Sequence, residues 1–579
     1  MDVILSNASH CTFCGFIAQL WTIFLRTHPE ATKIPIRDVT VRMQKYRIPT
    51  YFPQRNGISS FSNQGLRCPA LLGNIVFSVA DGQNGVLPID PEQRILLDKV
   101  DRNLERTPRL RSAEELQSGL LNYSLIKSWL HPPCTTSDCM SPRGAQPGLV
   151  LIDVAQRKLC TAPQGANYIA LSYIWGNIDP YPGASLESRS ADEHDSGMLL
   201  PQLPQTVEDA LLITQRLGEQ YLWVDAYCLN QHDPVVLSQQ VKDMDAIYEN
   251  AFLTIVAASG ENSNTGITGV SKPLHPTEQP TVSTAAGDLN ATFLKDFSAV
   301  YESCPLNKRA WTLQEAVLST RLLFLTDHNY YMRCRCAVYL DILSGPATLQ
   351  SKRQSYGDLF NITRFHFEGY SAAIQQYTSR KMSNPSDALN ALAGLLHRIE
   401  RKSKERFFLG LPESEFVNAL LWTPVKNQPF FRRDGFPSWA WCGGVGEVEY
   451  KLPQDDLHER EDATILISGN RAKGASIYIT SKMATIRGKA WGDPVQYLFD
   501  WVKEGNGNLF ATVDRPHELD LGRFALHAIQ LRRSDRHANV TCLLVQQGKE
   551  SWSRVGVARF PEKMWNWWFW PKMTTITVE

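Results

Sequence analysis

The chain has 579 residues, too many for one hydrophobic core, since single cores stop growing at roughly 250–300 residues, and about two to four domains are expected. Its 59 basic and 59 acidic side chains cancel, so no whole-chain field draws it to nucleic acid or to an anionic membrane. Apolar residues at 43% and 15 tryptophans exclude wholesale disorder and predict well-filled cores.

No apolar run reaches the ~20 residues that a membrane helix needs. The best candidate, Phe16–Leu25, ends on Arg26, and Met1-Asp2 begins acidic where a signal peptide begins basic. The twelve cysteines are scattered, and Cys228, Cys442 and Cys542 sit inside apolar runs, as reduced buried thiols do. A soluble cytoplasmic protein without a membrane span is the expectation.

In chain order, residues 1–145 form a mixed N-terminal region, in which Ile17–Leu25 and Leu72–Val79 alternate with turns. Arg102–Leu130 has leucines at helical spacing. Pro132–Gly148 reads as a linker. Tyr168–Trp175 is a short apolar run of strand length. Leu203–Leu217 is an amphipathic helix with Val207, Ala210, Leu211 and Thr214 on one face, Pro204 at its start and Gly218 after its end. Tyr221–Leu229 reads as a second strand, Val235–Asn250 as a second helix and Phe252–Ala258 as a third strand. Strands apolar on both faces, alternating with helices, predict a parallel sheet of Rossmann-like or flavodoxin-like α/β type. Such sheets bind ligands beyond the carboxyl ends of their strands, here Trp175-Gly176, Asn230–Asp233 and Ser259-Gly260.

An irregular insertion, Glu261–Leu306, precedes a short helix at Arg309–Leu318 and two strands, Arg321–Leu325 and Tyr330–Arg335. Gln350–Leu421 is patterned as helix. After Pro437, short alternating strands predict a separate antiparallel sandwich or barrel. The expected domains are 1–145, 146–345, 346–435 and 436–579. Near the end, Trp565, Trp567, Trp568, Phe569 and Trp570 crowd together. With a strand beyond, a core plug is favoured over a membrane-interface belt.

Several blocks occur in a telling order: YIALSYIWG (Tyr168–Gly176), the long run Leu203–Asp233, MDAIYENAFLTIVAAS (Met244–Ser259) and RAWTLQEAVLSTRLLF (Arg309–Phe324). They resemble the incompatibility (HET) domain of fungal cell-death and self/non-self recognition proteins. Tyr377–Leu396 and Phe436–Gly443 resemble blocks that follow that domain. The domain is in turn remotely similar to Toll/interleukin-receptor (TIR) domains, which open on a similar strand and, in their enzymatic members, carry Trp-x-x-x-Glu on a helix after the third strand. Trp311 and Glu315 reproduce that spacing, although here the insertion Glu261–Leu306 intervenes.

The resemblance implies cleavage of NAD+ at the nicotinamide–ribose bond, with NAD+ as substrate and no cofactor. One carboxylate suffices chemically. Ordinary glycosides need a second one to protonate the leaving oxygen, whereas nicotinamide already carries the positive charge that its departure discharges. A single preorganised carboxylate can then stabilise the oxocarbenium-like cation. Glu315 is the candidate catalytic residue, and Ser172, Trp175, Gly176, Asp225 and Trp311 are candidate substrate-binding residues. The structural alternatives are a helix-surface carboxylate paired with Arg309 or Arg321 for Glu315, and a core anchor for Trp311. For Asp225 the alternative is a cap on nearby backbone, and for Ser172 a hydroxyl satisfied within the sheet.

Cys11-x2-Cys14 and Cys134-x4-Cys139, with His10 and His131 nearby, could supply zinc ligands. The second spacing is unusual and the pairs lie about 120 residues apart, so no metal ligand is assigned. Neither a G-x-x-x-x-G-K-[ST] phosphate loop nor a G-x-S-x-G nucleophile motif occurs. The expected function is an incompatibility or cell-death effector with an unknown recognition partner, capable of self-association. The alternatives are a non-catalytic signalling module and a HET-like protein recruited to another pathway.

Overall fold

The computed structural model describes residues 2–10, 12–27, 32–33, 39–44, 71–80, 86–88, 93–99, 119–130, 144–176, 200, 202–230, 235–236, 240, 243–275, 281–284, 287–295, 297–334, 338–342, 365–382, 384–426, 428–450, 460–470, 473–486, 510–514, 526–534 and 538–579. The chain forms two compact units. The first is Met1–Asn307 with Leu318–Tyr356, and the second is Lys308–Val317 with Gly357–Glu579.

The first unit is organised by β1 (Val150–Asp153), β2 (Lys158–Thr161), β3 (Tyr168–Ser172), α1 (Gln205–Leu217), β4 (Tyr221–Trp223), α2 (Asp225–Cys228), α3 (Met244–Asn250), β5 (Leu253–Ala257), β6 (Arg321–Leu325), β7 (Tyr330–Cys334) and β8 (Val338–Leu340). The helix α4 (Trp311–Leu318) lies between β5 and β6 in the chain, and all but its last residue belongs to the second unit. The sheet runs β8-β7-β6-β5-β3-β4-β1-β2. Its centre, β6-β5-β3-β4, is parallel throughout. Both β3 and β5 are buried at all five positions, because both faces of a central parallel strand are covered.

The three expected strands are therefore adjacent and parallel, but the sheet as a whole is mixed. The β1–β2 hairpin joins antiparallel beyond β4, and β7 and β8 join antiparallel beyond β6. The strand expected over Tyr221–Leu229 stops at Trp223. There Asp225 accepts from the Ala226 amide at 2.8 Å and starts a turn of helix, a local bond that competes with the ladder. At the other end of the crossover, α1 closes on Gly218 with φ 91°. The left-handed glycine returns its amide to the last carbonyls of the helix.

A second sheet of six antiparallel strands also belongs to this unit: Val39–Gln44, Leu71–Ala80, Val86–Pro88, Gln93–Lys99, Thr281–Thr284 and Gly287–Lys295. The insertion is thus partly regular. It contributes a hairpin whose inner strand, Gly287–Lys295, pairs Leu289 with Lys99, a partner too distant in sequence for local patterning to reveal. Of the expected helix Arg102–Leu130, the part before Gly119 lies outside the described residues. Its end, Tyr123–Leu130, places Trp129 against Tyr330 and Tyr339, with ring centroids 5.7 and 5.9 Å away.

In the second unit, α5 (Phe367–Thr378) and α6 (Asn390–Ser403) hold α4. Arg380 donates to the Arg309 carbonyl at 3.2 Å and to Thr312 Oγ1 at 3.1 Å. The Gly394 amide donates to Gln314 Oε1 at 3.3 Å, and Arg398 to the Val317 carbonyl at 2.9 Å. The Phe436–Gly443 block is core here. Trp439 and Trp441 are buried, and Trp441 Nε1 donates to the Tyr370 hydroxyl at 3.1 Å.

The C-terminal strands are β9 (Thr464–Asn470), β10 (Lys473–Ile486), β11 (Leu526–Ser534), β12 (Asn539–Gln547), β13 (Trp552–Pro561) and β14 (Lys572–Val578), with α7 (Glu562–Trp568) after β13. They close as β11-β12-β13-β14-β10-β11, a barrel in which β9 hangs on the outside of β10. Leu526, Leu544, Phe560 and Trp565 belong to a buried apolar cluster on one of its faces.

A fragment bounded at Gly148 and Asp341 would contain α4 without Arg380, Gly394 or Arg398. The buried side chains Leu313, Ala316 and Val317 would lose the unit in which they are packed. Such a fragment is expected to aggregate on purification. A monodisperse, soluble fragment in size-exclusion chromatography would show that α4 folds without that bed.

Candidate functional site

The four parallel strands lie in the spatial order second, first, third, fourth. The chain leaves β3 for β4 on one side and later returns to β5 on the other. The crevice at this reversal, beyond the carboxyl ends of β3 and β5, is where open α/β sheets bind ligands. Two segments meet there, 173–176 after β3 and 258–271 after β5.

Their geometry is tight. The Trp175 carbonyl accepts the Ser263 amide at 3.1 Å. Gly176 holds φ 78°, and a Cβ on it would stand 2.5 Å from the Asn262 Cβ. Trp175 Nε1 donates to both oxygens of Asp225, at 3.0 and 3.1 Å, across from the end of β4. A carboxylate acceptor makes this a strong hydrogen bond and fixes the plane of the indole. Ser172, the last residue of β3, is buried. The structure therefore gathers Ser172, Trp175, Gly176 and Asp225 at one end of the sheet. Trp311, half-buried, and Glu315, buried, stand one helical turn apart on α4, in the second unit.

Sequence patterning missed the residues that close this end. Buried Asp209 on α1 accepts from Gln205 Nε2 at 2.8 Å, from the Ile267 amide at 2.6 Å and from the Ser271 hydroxyl. It thereby ties the loop after β5 to the start of α1. The Thr206 amide donates to the Ser263 carbonyl, and those of Val207 and Glu208 to the Pro204 carbonyl. Three of the amides that could meet a phosphate at this helix start are thus engaged by the chain itself. The Ser263 hydroxyl is buried with no hydrogen-bond partner among the described residues. The signal for Asp209 was an acidic residue flanked by the buried face of an amphipathic helix, where an unpaired carboxylate is costly.

A cavity of about 130 Å3 lies elsewhere, bounded by Gly148, Tyr168, Cys228, Gln240, Asp243 and Ile247. None of the six candidate residues lines it, and it is smaller than the roughly 300–1,000 Å3 of pockets for drug-sized ligands. Of the weighed zinc ligands, Cys11, Cys134, Cys139 and His131 lie outside the described residues; Cys14 is half-buried and forms no disulfide among the described residues, and His10 is exposed. Among the described residues no group of three or more His, Cys, Asp or Glu could hold a metal ion, and no helix is long and apolar enough to cross a membrane.

Residues 168–315 match the heterokaryon incompatibility protein (HET) family. The match opens on Tyr168, the first residue of β3, and closes on Glu315 in α4. The chain therefore carries a HET domain, which suggests involvement in heterokaryon incompatibility. No curated protein and no solved structure matches the chain.

The Gly176–Asn262 contact is testable. Gly176→Ala would force a side chain into a left-handed conformation and against Asn262, at a cost of about 1–3 kcal/mol. A lowered melting temperature and faster proteolysis at 259–271 are expected. An unchanged melt would mean that the loop is not seated on Gly176.

Proposed function

We propose that the HET domain is the effector part of an incompatibility or cell-death protein and hydrolyses NAD+ at the nicotinamide–ribose bond. The observation that carries this is Glu315, a buried carboxylate four residues after Trp311 that closes the family-matched segment. The strand order second-first-third-fourth is that of flavodoxin-like sheets and supports the TIR-like reading.

In the reaction the bond between ribose C1′ and the pyridine nitrogen breaks. Its electron pair neutralises the ring, and nicotinamide leaves. Water adds to C1′ and releases a proton, giving ADP-ribose. Glu315 is assigned the stabilisation of positive charge on the ribose. Trp175 and Asp225 are assigned to the substrate, the indole as a stacking surface and the carboxylate as an acceptor for a ribose hydroxyl. The Ser263 hydroxyl, without a partner among the described residues, offers a further polar contact. The assay is nicotinamide release by the purified chain, compared with its Glu315→Gln variant.

A second reading, a non-catalytic module acting by self-association, is favoured by the engagement of the α1 amides by the chain itself. A folded chain that self-associates and releases no nicotinamide would select it. Cytoplasmic localisation and a separate recognition partner complete the proposal.

A further inference from the structure

The crowded aromatics near the C-terminus divide by residue. Trp565 is buried against the barrel, with its Nε1 on Gln530 Oε1 at 2.8 Å, and Phe569 packs beside it. Trp567 and Trp570 do the opposite, being 78% and 76% exposed. Trp570 also holds φ 49°, a left-handed conformation that costs an L-residue energy. Its indole reaches only the Trp567 carbonyl and otherwise faces solvent. Strain at a residue that packs so little points to a task outside the fold.

The neighbouring sheet extends this surface. Side chains directly opposite each other on paired strands share a face. Met573 on β14 stands opposite Lys482 on β10, Thr575 opposite Thr480, and Tyr478 opposite Leu466 on β9. The alternate residues Ile477 and Ile479 are buried, so this is the outward face. On it Leu466 is 64%, Met573 67% and Tyr478 39% exposed. Leu466 and Tyr478 are opposite each other on this face, Met573 lies further along it, and Trp567 and Trp570 stand in the segment that leads into β14; such a density of large exposed apolar side chains exceeds the scattered singles normal for a surface.

Its charge is basic. Lys482 is exposed beside Met573, and exposed Lys563 lies one helical turn before Trp567 on α7. Of the acidic residues of the segment, Glu562 is paired with Arg533 at 3.3 Å, and Glu579, which accepts the Ser551 hydroxyl at 2.8 Å, keeps its charge at the far end of β14 from Met573 and Lys482.

We propose that this face docks on an anionic phospholipid surface. Trp567, Trp570 and Met573 enter the boundary between headgroups and acyl chains, and Lys482 and Lys563 lie against the lipid charges. Indoles suit that depth because one edge is apolar and the other donates a hydrogen bond. Lysines keep their stems in the apolar layer and their ammonium groups in water. Protein interfaces, by contrast, are depleted of lysine at their centres. Because the whole chain carries no net charge, the attraction is local to this face.

The test is cosedimentation of the full chain with phosphatidylcholine vesicles, with and without phosphatidylserine. Binding is expected to the phosphatidylserine vesicles and to fall with salt. Trp567→Ala/Trp570→Ala should weaken it about tenfold or more, and Lys482→Gln or Lys563→Gln about fivefold each. The melting temperature of the double tryptophan variant should be unchanged, since both indoles are exposed. No sedimentation, equal binding to both vesicle types, or equal binding by the double variant would overturn the proposal. So would a vesicle-free dimer that the tryptophan substitutions abolish, which would assign the face to a protein partner.

Discussion

Glu315→Gln is expected to lower the rate of nicotinamide release from NAD+ on the order of 10²–10³-fold, with the melting temperature unchanged. The size follows from the task. Glutamine keeps the volume and one hydrogen-bonding oxygen of glutamate but not its charge. The charge is what meets the cationic ribose in the transition state. A preorganised group of this kind contributes about 3–4 kcal/mol, because it is already oriented when the positive charge develops. The ground state of NAD+ is positive on the pyridine ring rather than on the ribose, so KM should move less than kcat. Equal release by variant and wild type would remove Glu315 from the chemistry. A variant that loses activity together with several degrees of melting temperature would mark Glu315 as a structural carboxylate of α4. That outcome is physically reasonable for a buried residue on a helix held by Arg380, Arg398 and the Gly394 amide.

The largest stability effect is expected at Asp514. Arg554 is fully buried on β13, and its Nε lies 3.0 Å from Asp514 Oδ2. The guanidinium stacks over the Trp422 ring at 3.5 Å and donates to the carbonyls of Leu420 and Trp422. One cation thus joins the barrel to the segment around Trp422 within the second unit. Asp514→Asn leaves that cation without its counter-charge in a medium that solvates it poorly, at a cost of about 3–5 kcal/mol. For a unit of this size the melting temperature should drop by roughly 10 °C. The double variant Asp514→Asn/Arg554→Met removes the buried charge as well and should recover much of the loss, since an apolar replacement of a buried pair is often neutral. A single variant as stable as wild type would show that Arg554 is sufficiently held by the carbonyls and the Trp422 ring.

How much of this was legible in the sequence depends on the range of the interaction concerned. The parallel core was legible because β3 and β5 are apolar at all positions but Ser172 and Thr254, and only a strand covered on both faces needs so continuous a run. The strand-end residues Trp175, Gly176 and Asp225 followed, since polar and glycine residues mark where such runs stop. The premature end of β4 was not legible, because Asp225 could as well have capped a strand as begun a helical turn.

In the terminal aromatic cluster, composition alone could not separate Trp565 and Phe569, which face the barrel, from Trp567 and Trp570, which face water. Helical spacing makes the division only once α7 is known to exist. Local periodicity was enough to place β3, α1 and β5 and their buried faces, but not the end of β4 or the strands of the insertion. Only the tertiary structure decided the partners: the insertion strand on Gln93–Lys99, α4 among Arg380, Gly394 and Arg398, and the loop of Asn262 and Ser263 over β3. Burial requires that an apolar face meet another, and a single sequence carries no term that says which.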